Sequence, residues 1–165
     1  VHLRRQRQMC IRDSGCSTGK MTKALIDYNK DHCTSANYIG LEIAEGFRDD
    51  LKKRKKDIKK YYDRIEFEEK DATFYEYENC SLITSIFTLQ FIPKSKREDL
   101  LQKVYDGLNC GGAYIFAEKT ICENALVQDM ITFNYYDYKI KIKNLLPNIH
   151  IYYPQVQFQV GFLRR

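Results

Sequence analysis

Asp13-Ser14-Gly15-Cys16-Ser17-Thr18-Gly19-Lys20, followed by a helical pattern and then by Tyr38-Ile39-Gly40-Leu41-Glu42, is the stretch on which the fold turns. Its glycines let backbone approach a ligand, and the helix that follows presents free N–H groups that favour an anion. Met21, Ala24, Leu25 and Tyr28 recur at helical spacing, and residues 38–41 read as a short buried strand. The turn is not a phosphate-binding P-loop, because only three residues separate Gly15 from Gly19 and Met21 stands where a magnesium-holding Ser or Thr belongs. It also lacks G-x-G-x-x-G. Two readings of the turn stay open, a nucleotide-type site and a plain strand-to-helix connection. Glu42 favours the first: an acid at the end of the next strand can accept two hydrogen bonds from a ribose diol. Asp71 ends a third strand, where its carboxylate or the neighbouring backbone can receive an adenine amino group or, equally, cap a helix.

Outward from this stretch the pattern repeats. Phe47, Leu51, Ile58 and Tyr62 mark the apolar stripe of a second helix, and Ile65 and Phe67 alternate with charges as in a strand. The continuous run Leu82-Ile83-Thr84-Ser85-Ile86-Phe87 predicts a central strand covered on both faces. After Pro93 come a helix with Leu100, Leu101, Val104 and Leu108 inward, a stop at Gly111-Gly112 and a strand over 113–117. A last helix is predicted over 123–138. Strands alternating with helices specify an α/β fold, a doubly wound and mostly parallel sheet whose ligand lies beyond the carboxyl ends of the strands.

The 165 residues, 44% hydrophobic and 30% charged, suit one domain with a sizeable core. No apolar run approaches the roughly 20 residues of a membrane span, and no secretory signal opens the chain, so a cytoplasmic location is expected. The net charge of +5 sits at the ends: Arg4, Arg5, Arg7 and Arg12 at the front, and Lys139, Lys141, Lys143, Arg164 and Arg165 at the back, where residues 138–165 hold no acid. The body between is slightly acidic, which argues against general nucleic-acid binding.

Both ends differ from the middle. Residues 4–14 back-translate into a transposase adapter used in sequencing libraries, so residues 1–14 are expected to be a non-native segment outside the fold, with a native basic arm as the alternative. The domain is then expected over 15–139, truncated at its N-terminus. Residues 140–165 form an atypical tail, either an edge hairpin over 149–163 with Pro154 at its turn or the product of a frameshift.

Asp-x-Gly-x-x-x-Gly at 13–19 with an acid after the second strand resembles the class I S-adenosylmethionine-dependent methyltransferases, and Asn109-Cys110-Gly111-Gly112 resembles their Pro-Gly-Gly turn. Gly15-Cys16-Ser17, Phe87-Thr88-Leu89-Gln90-Phe91, residues 100–119 and Phe133-Asn134-x-x-Asp137-x-Lys139 resemble, more narrowly, the carboxy-S-adenosyl-L-methionine synthases. The resemblance implies a Rossmann-like class I methyltransferase fold and S-adenosyl-L-methionine or its carboxylated form as cofactor. It implies carboxyl transfer from prephenate, a small-molecule substrate, for a product used in 5-oxyacetyl modification of the tRNA wobble uridine. It also leaves a homodimer open. By position, Gly15, Cys16 and Ser17 would approach the methionine part, Glu42 and Ile43 the ribose, and Asp71 and Ala72 the adenine, with Gly19 of the same loop also expected to bind the cofactor. Ile86 falls where the family has a ligand-contacting asparagine, and no arginine occurs between Arg97 and Arg164, where the family places its carboxylate clamp. A lysine there would not replace that planar fork. The alternatives are methyl transfer to RNA or a small metabolite, and an inactive fragment that only binds the nucleoside.

The run Lys52-Lys53-Arg54-Lys55-Lys56 reads as a solvated helix face rather than a tRNA contact. The cysteines lack C-x-x-C spacing and read as reduced thiols, with no metal site expected; His2, His32 and His150 suggest no catalytic triad.

Overall fold

In the computed structural model, residues 9–120, 123–145 and 157–164 are described. The elements are β1 (Cys10–Ser14), α1 (Lys20–Asn29), β2 (Asn37–Leu41), α2 (Arg48–Ile58), β3 (Ile65–Glu68), β4 (Cys80–Ile86), α3 (Lys94–Gly107), β5 (Leu108–Thr120), α4 (Ala125–Leu145) and β6 (Gln157–Arg164). The strands lie in the order β3-β2-β1-β4-β5-β6, and β3, β2, β1, β4 and β5 pair in parallel. This is the predicted doubly wound α/β sheet, with β4 between β1 and β5 as its apolar run requires.

Strand alternation divides the core between two faces. Ile11, Tyr38 and Ile65 join Ile26 of α1 and Ile58 of α2 in one cluster, while Leu41, Ile83 and Tyr114 join Leu100 and Val104 of α3 in the other. Ile26 and Ile58 are fully buried, each contributing about 1.5–3 kcal/mol relative to exposure. On β3 the alternation of Ile65 with Glu66 leaves the charge outward, where Lys55 of α2 and Lys59 just beyond its end pair with it.

Several expectations are corrected. The fold does not begin at residue 15: residues 10–14 form β1, between β2 and β4, with Ile11, Asp13 and Ser14 buried. Coding resemblance drew that boundary, whereas the backbone of residues 10–14 pairs with β2 on one side and β4 on the other. The domain does not end at residue 139, because α4 runs unbroken to Leu145; residues 149–156 of the expected hairpin lie outside the described residues, and 157–164 are β6. In α1 the inward residues are Thr22 and Ile26, while Tyr28 is 81% exposed. Thr22 is buried because its hydroxyl finds a carboxylate there, which apolar periodicity does not register. Gly107, not Gly111-Gly112, closes α3; that pair lies within β5, where the register with β4 shifts between Cys80 and Leu82.

The chain forms two compact units, residues 1–117 with 160–165, and residues 118–159. Within the second, Asn124 caps α4, its side-chain oxygen accepting the Val127 N–H at 3.2 Å. No helix among the described residues is long and apolar enough to cross a membrane.

Candidate functional site

Register brings the loops together. Ser14 pairs with Leu41 and Ser85, and Leu41 with Glu68, so residues 15, 42 and 69 leave the sheet side by side at its carboxyl edge, near Ile86 at the end of β4. In the first loop Gly15, Ser17 and Gly19 have φ of 68°, 50° and 69°. Ser17 is a strained choice for the left-handed region. Its conformation is fixed by its N–H, which donates to Glu42 Oε2 at 2.8 Å, while the Cys16 N–H donates to the Leu41 carbonyl at 2.9 Å. Gly19 begins α1 without a side-chain cap or an acid in the first turn, which leaves the positive end of that helix beside the loop.

Glu42 bridges two loops, because its Oε1 also accepts the Ala44 N–H at 2.9 Å. A cleft of about 270 Å³ opens beside it, lined in part by Arg48, Leu51, Phe67 and Glu69; Asp71 and Ala72 do not line it. Ile43 is 60% exposed next to Glu42, and Ala72 is buried. Asp71 Oδ1 accepts both the N–H and the hydroxyl of Thr73 at 2.8 Å, so this oxygen caps a turn rather than a helix. Ile86, the last residue of β4, pairs with Ala117 and is half-buried.

Beneath the loops lies a polar cluster that sequence reading missed. Asp13 accepts from Thr22 at 2.6 Å and from Thr84 at 2.8 Å, tying the end of β1 to α1 and β4. Burial pushes its carboxyl pKa up, against those hydrogen bonds. The hydroxyls of Ser14 and Tyr77 share a hydrogen bond of 2.7 Å. The hydroxyls in β4 and α1 are the signal that could have found this cluster, since polar groups in a buried run need partners. Cys16 is also buried; desolvation, reinforced by Asp13 and Glu42, raises its thiol pKa and keeps it protonated, so it packs rather than attacks.

The arrangement offers backbone N–H groups, a helix N-terminus and a carboxylate at one sheet edge, without an activated nucleophile among these residues. Comparison with known proteins places the chain in a family. The chain is 35% identical over 131 residues to the carboxy-S-adenosyl-L-methionine synthase of a Nitratiruptor species, covering 79% of this chain and 52% of that protein. It is 34% identical over 131 residues to the synthase of Staphylococcus epidermidis, covering 79% and 54%. The chain thus spans about half the length of these curated relatives. Among solved structures, a putative S-adenosylmethionine-dependent methyltransferase from Listeria monocytogenes superposes with a TM-score of 0.54 at 22% identity, covering 68% of this chain and 48% of that one. The glycopeptide N-methyltransferase MtfA, solved with S-adenosylmethionine, gives 0.57 at 15% identity, covering 70% and 46%. A methyltransferase domain matches residues 11–112, from β1 into β5, and the chain belongs to that family.

Proposed function

We propose that this chain binds S-adenosyl-L-methionine through the carboxyl edge of its sheet and belongs to an enzyme that transfers a group to or from it. The observation that carries this reading is the placement of Glu42. Each of its carboxylate oxygens holds one backbone N–H, and a carboxylate oxygen has room for a second donor, so both ribose hydroxyls can be accepted without dismantling the loops. The free acceptor positions of Glu42 therefore suit the two ribose hydroxyls. Gly15, Cys16, Ser17 and Gly19 would hold the methionine part beside the positive end of α1, Ile43 would cover the ribose, and Asp71 and Ala72 would border the adenine. When bound, the cofactor would supply a sulfonium methyl group, which is electrophilic in methyl transfer and gives up a proton where it gains a carboxyl group. The chain's own contribution is to position it and exclude water, since such a transfer needs orientation more than acid–base groups.

For the second substrate, the similarity to carboxy-S-adenosyl-L-methionine synthases supports a small carboxylate donor of the prephenate type and a cytoplasmic role in supplying tRNA wobble-uridine modification. Ile86 and the lack of arginine between Arg97 and Arg164 favour the second reading, methyl transfer to another acceptor. Calorimetry with S-adenosylmethionine tests the cofactor, with saturable binding expected. Incubation with prephenate and mass spectrometry of the nucleoside products then separates the two chemistries. A carboxylated sulfonium supports the synthase reading, and S-adenosylhomocysteine with a methylated acceptor supports the second. A flat titration overturns both.

A further inference from the structure

The segment leaving β4 makes an abrupt turn whose purpose lies in the neighbouring loop. Phe87 has φ of 58° although it is not glycine, and its N–H donates to the Ala117 carbonyl at 2.7 Å, prolonging the β4–β5 ladder. That left-handed step turns the next residue toward β1. The Thr88 hydroxyl donates to the carbonyl of Ser14, the last residue of β1, at 2.9 Å, with a longer approach to the Ile86 carbonyl at 3.4 Å. Its side chain fills the space that a Cβ at residue 15 would need, such an atom falling 2.3 Å from Thr88 Oγ1 and 2.6 Å from Cγ2. Gly15 therefore lacks a side chain for two reasons, its φ of 68° and the room taken by Thr88. The far side of the same loop is held by Glu42 through the Ser17 N–H.

We infer that Thr88 is a positioning residue, whose hydroxyl pre-organises the 15–19 loop from the β4 side as Glu42 does from the β2 side. This deepens the proposed function and rests on it in one respect: the ligand whose affinity depends on the loop is S-adenosylmethionine. Thr88 opens the turn over residues 88–91, which two extended residues separate from α3, and the two loops at this edge are fastened together by one hydrogen bond and one interlocked contact.

The test compares Thr88→Val, which keeps the bulk and removes the donor, with Thr88→Ser, which keeps the donor and removes the methyl. Two measurements are made on each full chain: hydrogen exchange of the Cys16 and Ser17 amides without ligand, and S-adenosylmethionine affinity by calorimetry. For Thr88→Val, exchange is expected to quicken and affinity to fall about three- to tenfold, the equivalent of one lost hydrogen bond. Thr88→Ser is expected to stay within about twofold of the parent in both, rescue by the hydroxyl being something that general loss of packing would not produce. Parent-like exchange and affinity in Thr88→Val overturn the inference, as does an equal loss in both variants. If the parent takes up no S-adenosylmethionine, the cofactor reading falls, and the exchange measurement still decides the role of Thr88.

Discussion

Adding one methyl group at Gly15 tests the interlock between the loops after β1 and β4. In Gly15→Ala the new Cβ would sit 2.3 Å from Thr88 Oγ1 and 2.6 Å from Thr88 Cγ2, well inside contact distance, on a backbone at φ 68°. The left-handed conformation costs an alanine about 1–2 kcal/mol. Overpacking against a side chain already hydrogen-bonded to the Ser14 carbonyl adds about 1–3 kcal/mol, for a total loss of about 2–5 kcal/mol. Thr88→Ala alone forfeits the hydroxyl's bond and a buried methyl, about 1–2 kcal/mol. In the double variant the two clashing atoms are gone and the Cβ of residue 88 stands at 3.0 Å, so the second substitution costs little more than its backbone strain. The cycle therefore predicts that the double variant is about 1–3 kcal/mol more stable than additivity allows. Urea unfolding of the parent, both single variants and the double variant at one pH measures this. Additivity within about 0.5 kcal/mol would refute the interlock, whatever the individual losses.

Glu42→Ala removes the acceptor for Ser17 and Ala44 and the proposed partner of the ribose, and is expected to weaken S-adenosylmethionine by about 1.5–3 kcal/mol in calorimetry; unchanged affinity takes Glu42 out of the site. Asp13, whose pKa burial raises, gives stability that is full below its unfolded pKa of about 3.9 and is lost as pH rises through the folded pKa. The stability advantage of the parent over Asp13→Asn should therefore shrink as pH rises above about 4, as read from urea midpoints, and a constant or growing gap would contradict that assignment. Gly107→Ala would place a Cβ 2.4 Å from the Tyr77 carbonyl oxygen, backbone that cannot rotate aside, so a loss of about 1–3 kcal/mol and a lower Tm are expected; an unchanged Tm would show that α3 shifts freely.

The order of strands and helices is legible in the sequence because the apolar patterning is strong where burial is complete, as in the run from Leu82 to Phe87. The candidate loops are legible for a related reason, since a doubly wound sheet leaves its ligand few places other than the carboxyl edge. What periodicity cannot supply is the polar part of the interior. Thr22 and Thr84 are buried on the strength of Asp13, and no hydropathy pattern marks a hydroxyl whose partner lies 9 or 71 residues away. Apolar spacing consequently puts the inner face of α1 one step around, toward Ala24 and Tyr28. Thr88 lies inside a recognisable motif without an evident role, because its task depends on the left-handed Phe87 and on an empty position at Gly15, two facts of backbone geometry.

The outer strand β3 bears on how the protein behaves at high concentration. It is four residues long, ends the sheet, and carries Glu66 and Glu68 on alternate positions, with Lys55, Lys59 and Lys70 drawn in as their counter-ions. A second copy adding itself there in parallel register would stack carboxylate beside carboxylate for the sake of a few ladder bonds, and would compete for lysines already engaged. That margin of the sheet is a poor template for strand-by-strand growth.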